Sequence, residues 1–155
     1  MTRLAVLIAT VGYCGYFPIA PGTVGSAAGL LFYALVWWSQ SPLVEIGLIA
    51  GLFAAGVWAG TTAERYFGGV DPGPIVLDEV VGMLITLAFI PALGWSGILA
   101  GFVLFRIFDV IKPFPADRFE QLHGGLGVMA DDAMAAVYAN GVLRIFLWLL
   151  PAWIA

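Results

Sequence analysis

Five apolar stretches punctuate this chain, at roughly Val24–Trp38, Leu43–Gly60, Val80–Leu93, Gly97–Ile111 and Ala133–Leu150. Each is at or a little below the roughly 20 residues that a straight helix needs to cross a bilayer. Several extend by a turn into their flanks. The run Leu4–Gly12 is too short to span and is expected to lie at the interface or enter part-way. Gly and Ala recur inside the segments, as in Ala27-Ala28-Gly29 and Ala54-Ala55-Gly56. Small residues let helix backbones approach closely, and in lipid that packing replaces the hydrophobic drive. The pattern predicts an all-α fold: a small multi-pass bundle with about five membrane-embedded helices, in one domain over residues 1–155. A helical bundle in water is the competing reading, and the shortness of the segments is its best support.

The polar positions are gathered rather than scattered. Asp71, Asp78, Glu79, Asp109, Asp117, Glu120, Asp131 and Asp132 fall in one region, with only Glu45 and Glu64 outside it. Arg65, Arg106, Lys112 and Arg118 sit near the same group. If all five segments span, parity puts the stretch before Val24, the stretch Thr61–Glu79 and the stretch Lys112–Asp132 on one side. The other side receives short turns at Ser39–Pro42 and around Gly94–Ser96, and the C-terminus. The polar side also holds Arg3, so the positive-inside rule makes it cytoplasmic. Arg144 is the exception, lying within the last segment, where it must snorkel or pair inward.

Composition sharpens this picture. Hydrophobic residues make up 62% and charged residues 10% of the chain, against about 45–50% and about 25% in soluble domains. An aqueous surface cannot hide that excess, so the protein sits in lipid or buries nearly everything in an oligomer. No basic stripe suggests nucleic acid. The one cysteine, Cys14, excludes an intramolecular disulfide and a multi-cysteine metal site. The N-terminus begins like a signal peptide, with Arg3 before an apolar run, but lacks a small-x-small cleavage site and reads as mature protein.

Four constellations could carry chemistry. In Ile75-Val76-Leu77-Asp78-Glu79-Val80, adjacent carboxylates stand directly before an apolar helix. In water they would be an ordinary N-terminal pair favoured by the helix dipole. At a membrane boundary, paired carboxylates suit a hard cation that wants oxygen ligands. Gly124-Gly125-Leu126-Gly127-Val128-Met129-Ala130-Asp131-Asp132 repeats the theme, with a glycine turn and a second acidic pair before a helix expected from Ala133. Unpaired, four carboxylates would repel one another, so a cation is expected. Arg106, Asp109 and Lys112 share a helix face. They either neutralise one another in a salt-bridged row or divide, Asp109 going to a metal and the two cations to phosphate oxygens. Pro18-Ile19-Ala20-Pro21-Gly22-Thr23-Val24-Gly25-Ser26 is a rigid turn into a helix, with Thr23 the expected N-cap. It is either a plain capped turn or an anion site at free helix amides. His123 is a structural hydrogen-bonder or a proton donor for a leaving alcohol.

Several familiar mechanisms are missing. Position 20, six after Cys14, is Ala20 where a cysteine phosphatase needs Arg, and Gly73 breaks an Asp-x-Asp pattern at Asp71. The chain has no phosphate-binding Gly-Lys-Ser/Thr loop, no His-Glu-x-x-His and no Gly-x-Ser-x-Gly. Metal-activated water is the simplest remaining route.

At Pro18–Ser26, at Gly73–Leu87, at Phe102–Pro115 with Phe105-Arg106-Ile107-Phe108-Asp109, and at His123–Asp132, the chain resembles the phosphatidylglycerophosphatase A family. The stretches span most of the chain in the family's order. The resemblance implies an all-α, Mg²⁺-dependent enzyme of the bacterial inner membrane that converts phosphatidylglycerophosphate to phosphatidylglycerol and phosphate. It matches Asp78, Glu79, Asp109, Asp131 and Asp132 to the family's acidic positions.

The expected mechanism has these five acids binding Mg²⁺ just inside the cytoplasmic boundary. Asp78 or Asp132 orients the water or takes its proton, Asp109 and His123 assist, and Arg106, Lys112, Thr23 and Ser26 meet the phosphate. Two rivals stand beside it: a cation transporter that uses the carboxylates as an ion path, and a structural membrane protein with capped helices. The oligomeric state stays open, a homo-oligomer included.

Overall fold

The computed structural model describes residues 1–90, 93–119 and 121–151, and every regular element among them is helical. In chain order these are α1 (Thr2–Ala9), a 3-10 turn at Cys14–Tyr16, α2 (Pro21–Ser39), α3 (Pro42–Phe67), α4 (Leu77–Leu87), α5 (Trp95–Ile111), the single turn α6 (Ala116–Phe119) and α7 (Gly125–Leu149). Pro21 and Pro42 open α2 and α3, where a missing N–H costs nothing and the fixed φ suits the first turn. Gln40, Gly68 and Lys112 close α2, α3 and α5 in the left-handed region.

The short helix α4 is the hub. Its sequence is apolar on every side past the first turn, and a helix with that pattern is buried on every side. Val80, Val81, Met83 and Leu87 are fully buried. It packs against α2, α3, α5 and α7. Small residues set the approach distances. A Cβ on Gly29 of α2 would lie 2.7 Å from Met83 Cβ, and one on Gly82 would lie 2.3 Å from the Phe105 ring of α5. Ala5 and Ala9 of α1 meet Ala59 and Ala63 of α3 in a second, smaller core. The outer faces are apolar, with Leu31 and Leu35, Leu43 and Ile46, Leu99 and Val103, and Val137 and Ile145 all exposed.

All five apolar stretches fold as helix, in whole or in part. Among the described residues, however, only α3 and α7 are both long and apolar enough to cross a membrane. The expected helix over Val80–Leu93 ends at Leu87, with Ala88 extended and Phe89 at a φ of 54°. The sequence reaches Pro91 shortly afterwards, and proline has no place in a helix interior. Pro91 and Ala92 themselves lie outside the described residues. The chain still changes ends, because Leu93 and Gly94 line a cavity of about 780 Å³ together with Gln40 and Ser41 of the α2–α3 turn.

Two helices start earlier than expected. α2 begins at Pro21 with Ala20 as its left-handed N-cap, so Thr23 sits inside the first turn and is not the cap. α7 begins at Gly125, not Ala133, so Gly125 and Gly127 are helix rather than turn, with Gly124 as the N-cap. The reason is close packing. A Cβ on Gly125 would lie 2.3 Å from the Val57 carbonyl oxygen of α3, and one on Gly127 would lie 2.2 Å from that of Leu122. Only glycine permits those approaches. The Gly125 N–H donates to Thr61 Oγ1 of α3 at 2.9 Å, satisfying a helix-start donor.

The gathering of polar motifs at one end is present in the fold. The starts of α2, α4 and α7 meet the end of α5 there, and the Val76 N–H, just ahead of α4, donates to the Ala9 carbonyl at 2.9 Å. Arg144 pairs inward, onto the Ala88 and Phe89 carbonyls at the far end of α4.

Candidate metal and phosphate site

Asp78 and Glu79 occupy the first turn of α4, where the helix dipole favours negative charge. Asp132 lies on the second turn of α7. The packing of these two helices brings one carboxylate oxygen from each of the three residues to within 4.8 Å of the others. Asp78 and Asp132 are buried. Glu79 Oε2 and Asp132 Oδ2 are buried without a hydrogen-bond partner. Burial, and secondly the charge of adjacent Glu79, push the Asp78 carboxyl well above its ordinary value. Burial also raises Glu79, against the lowering effect of its hydrogen bond with Asp78 and of nearby Arg106.

These features fit a divalent cation. Buried oxygens without partners are expensive, and three carboxylates this close cannot all ionise unaided. A hard cation supplies both missing partner and missing charge through oxygen ligands of the kind present.

Helix geometry separates the acidic pair on α7. Consecutive helical residues point about 100° apart, so Asp132 faces α4 while Asp131 turns to the end of α5 and accepts from Lys112 Nζ at 2.6 Å. Asp131 therefore lies outside the three-carboxylate group. Asp109 forms an ion pair with Arg106 Nη1 at 2.8 Å and lies outside the three-carboxylate group. It stands one step behind the cluster.

Arg106 links the carboxylates to α2. Its Nη1 meets Asp109, lies 3.9 Å from Glu79 Oε1, and donates to Ser26 Oγ at 3.4 Å. Ser26 is fully buried and donates to the Gly22 carbonyl at 2.9 Å, so its hydroxyl serves Arg106 rather than open space. Among the described residues each of these contacts uses Nη1, which leaves Nε and Nη2 of a planar fork for other acceptors. Thr23 is exposed on the first turn of α2, and His123 is exposed just ahead of α7. Neither belongs to the carboxylate group.

Gly22 was not singled out from the sequence. A Cβ there would lie 2.3 Å from Glu79 Oε1 and 3.1 Å from both terminal nitrogens of Arg106. The Pro-Gly pair that reads as a turn lies against the acid–Arg106 cluster.

Known proteins match the same stretch of chain. The family described as Phosphatidylglycerophosphatase A matches residues 7–147. A phosphatidylglycerophosphatase A of Escherichia coli (strain K12) is 40% identical over 134 residues, covering 83% of this chain and 75% of its own. That of Haemophilus influenzae is 42% identical over 133 residues, covering 84% and 82%. A protein of Bacteroides thetaiotaomicron, provisionally named phosphatidylinositol-3-phosphatase, is 36% identical over 159 residues, covering 95% and 96%. No solved structure matches the chain.

Proposed function

Because the chain belongs to the phosphatidylglycerophosphatase A family and is, with its relatives, a phosphatase of phosphate monoesters, we propose that it hydrolyses phosphatidylglycerophosphate to phosphatidylglycerol and phosphate in a bacterial inner membrane, using Mg²⁺ held by Asp78, Glu79 and Asp132. The convergence of these three carboxylates, two buried and one partly buried, beside Arg106 carries the reading.

A bound Mg²⁺ would polarise the phosphoryl group and make attacking water more acidic. The protein's own residues do the rest. Asp109 and Ser26 fix the Arg106 guanidinium by one nitrogen, so its free edge can grip two phosphoryl oxygens and offset the charge that grows on them. Asp78 or Asp132 takes the water's proton. Asp131 completes the acidic set by holding Lys112 at the rim, where its charge draws the anionic head group. Thr23 meets the phosphate from the first turn of α2, and His123 returns a proton to the leaving alcohol.

The lipid assignment draws support from the exposed apolar faces and from tryptophan placement. Trp37 and Trp38 end α2, Trp95 starts α5 and Trp148 closes α7; all four are at least 61% exposed and all lie at the end remote from the acids. Tryptophan belts of this kind mark a membrane–water interface. The opposite end carries the acids with Arg65, Arg106, Lys112 and Arg118, and this positive charge supports a cytoplasmic placement. α4, at 11 residues, rises about 16 Å and enters only part of an apolar layer about 30 Å thick. Neither the geometry nor the relatives support a cation transporter.

Phosphate release from purified protein, assayed on a panel of lipid phosphomonoesters with Mg²⁺ or with EDTA, tests the reading. Phosphatidylglycerophosphate should be turned over fastest, and chelation should silence the enzyme until Mg²⁺ is returned. Faster turnover of a phosphatidylinositol phosphate would overturn the substrate, and full activity in EDTA would overturn the metal.

A further inference from the structure

Helix α4 ends with Thr86, Leu87 and Ala88 buried. The last carbonyls of a helix have no partner within it, and backbone left open away from water is costly unless the protein supplies partners. Two residues of α7 supply them here. Asn140 Nδ2 donates to the carbonyls of Ile85 at 3.2 Å, Thr86 at 2.9 Å and Ala88 at 3.1 Å. Arg144 Nη2 donates to Ala88 at 3.0 Å and Phe89 at 3.1 Å. Arg144 Nε also donates to Asn140 Oδ1 at 2.8 Å, so each side chain braces the other. From α3, buried Glu45 accepts the Phe89 N–H at 3.1 Å.

Asn140 lies eight positions after Asp132, about 80° round the helix axis, so both fall on the broad side of α7 that packs against α4. That side of α7 therefore holds α4 at both ends. Asp132 faces Asp78 and Glu79 at the start, and Asn140 with Arg144 grips the finish. The apolar contacts between, such as Met83 and Leu84, are non-directional and tolerate sliding. The grouped carboxylates repel one another, which favours sliding. A slip of one residue moves a helix about 1.5 Å and turns it about 100°, enough to turn Asp78 away from Asp132 and break a cluster only 4.8 Å across.

From this geometry we infer that Asn140 and Arg144 are positioning residues for the phosphatase site: their hydrogen bonds to the end of α4 fix its register on α7, and so hold Asp78 and Glu79 against Asp132. The inference rests on the metal reading proposed above, and it is separable from it by experiment.

The test uses the full chain purified in detergent, with Asn140→Leu and Arg144→Lys as variants. The readouts are the Mg²⁺ concentration giving half-maximal phosphate release, kcat at saturating Mg²⁺, KM for the lipid, and Tm in EDTA. Asn140→Leu should raise the half-activating Mg²⁺ at least tenfold and lower kcat, with KM within twofold of wild type. Arg144→Lys, which keeps a donor and is the milder change, should shift the Mg²⁺ requirement a few-fold and carries the test if Asn140→Leu fails to fold. A lowered Tm with wild-type Mg²⁺ dependence and kcat would reduce the clamp to a stabilising cap and overturn the inference alone. Wild-type activity that ignores Mg²⁺ and EDTA would instead remove the metal reading, and the inference with it.

Discussion

Gly22 and Glu79 are in contact across the α2–α4 boundary so tightly that a methyl group on the first would sit 2.3 Å from a carboxylate oxygen of the second. The same methyl would press on both terminal nitrogens of Arg106. What stands in the way is the far end of two flexible side chains, not backbone. Gly22→Ala should therefore leave the fold intact, since alanine favours a helix over glycine by about 0.8–1 kcal/mol, while pushing Glu79 and Arg106 out of place. The expected result is an unchanged or slightly raised Tm with kcat down at least tenfold. Wild-type turnover in a well-folded Gly22→Ala protein would show that this contact has no part in the chemistry.

Gly125 gives the opposite expectation. Its missing Cβ faces the Val57 carbonyl oxygen at 2.3 Å and the Thr61 nitrogen at 2.7 Å, and backbone cannot swing aside. Gly125→Ala must part α3 from α7, an overpacking cost of about 1–3 kcal/mol. Thermal unfolding in detergent should show a Tm several degrees lower. An unchanged Tm would mean that the two helices pack less closely than described.

The acids should divide by position. Asp78→Asn, Glu79→Gln and Asp132→Asn remove members of the three-carboxylate group and should lower kcat by orders of magnitude in folded protein. Asp131→Asn breaks the ion pair with Lys112 and should cost less than Asp132→Asn. Lys112→Met in that background should then add little, because coupled partners are non-additive. Equal losses from Asp131→Asn and Asp132→Asn would put Asp131 back among the metal ligands.

Asp78 also predicts how stability follows pH. Its folded pKa is raised by burial and by Glu79. A raised folded pKa stabilises the protein below the unfolded value, and that contribution disappears as pH climbs through the folded value. Metal-free protein should thus melt at a lower temperature at neutral pH than under mildly acidic conditions. Asp78→Asn, neutral at every pH, should flatten that slope and raise the neutral-pH Tm in EDTA while abolishing activity. A pH slope in EDTA identical to that of wild type would show that Asp78 titrates normally.

Much of this protein was legible in the order of its residues. Apolar stretches long enough for helices, and parity in how they connect, were sufficient to expect an all-helical chain with its acids at one end. Residue chemistry alone marked Asp78, Glu79, Asp109, Asp131, Asp132, Arg106 and Lys112 together, because charged groups beside apolar segments are too costly to be incidental. Tertiary structure decided the rest, since it depends on which surfaces touch. The glycines ahead of Asp131 read as a turn, but Gly125 and Gly127, packed against Val57 and Leu122, are helix, and a helix, unlike a turn, sends Asp131 and Asp132 to different partners. The early end of α4, and the choice of Asn140 and Arg144 to satisfy it, had no local signal beyond polar residues inside an apolar stretch. A sequence states which groups need partners; only close packing determines who meets whom.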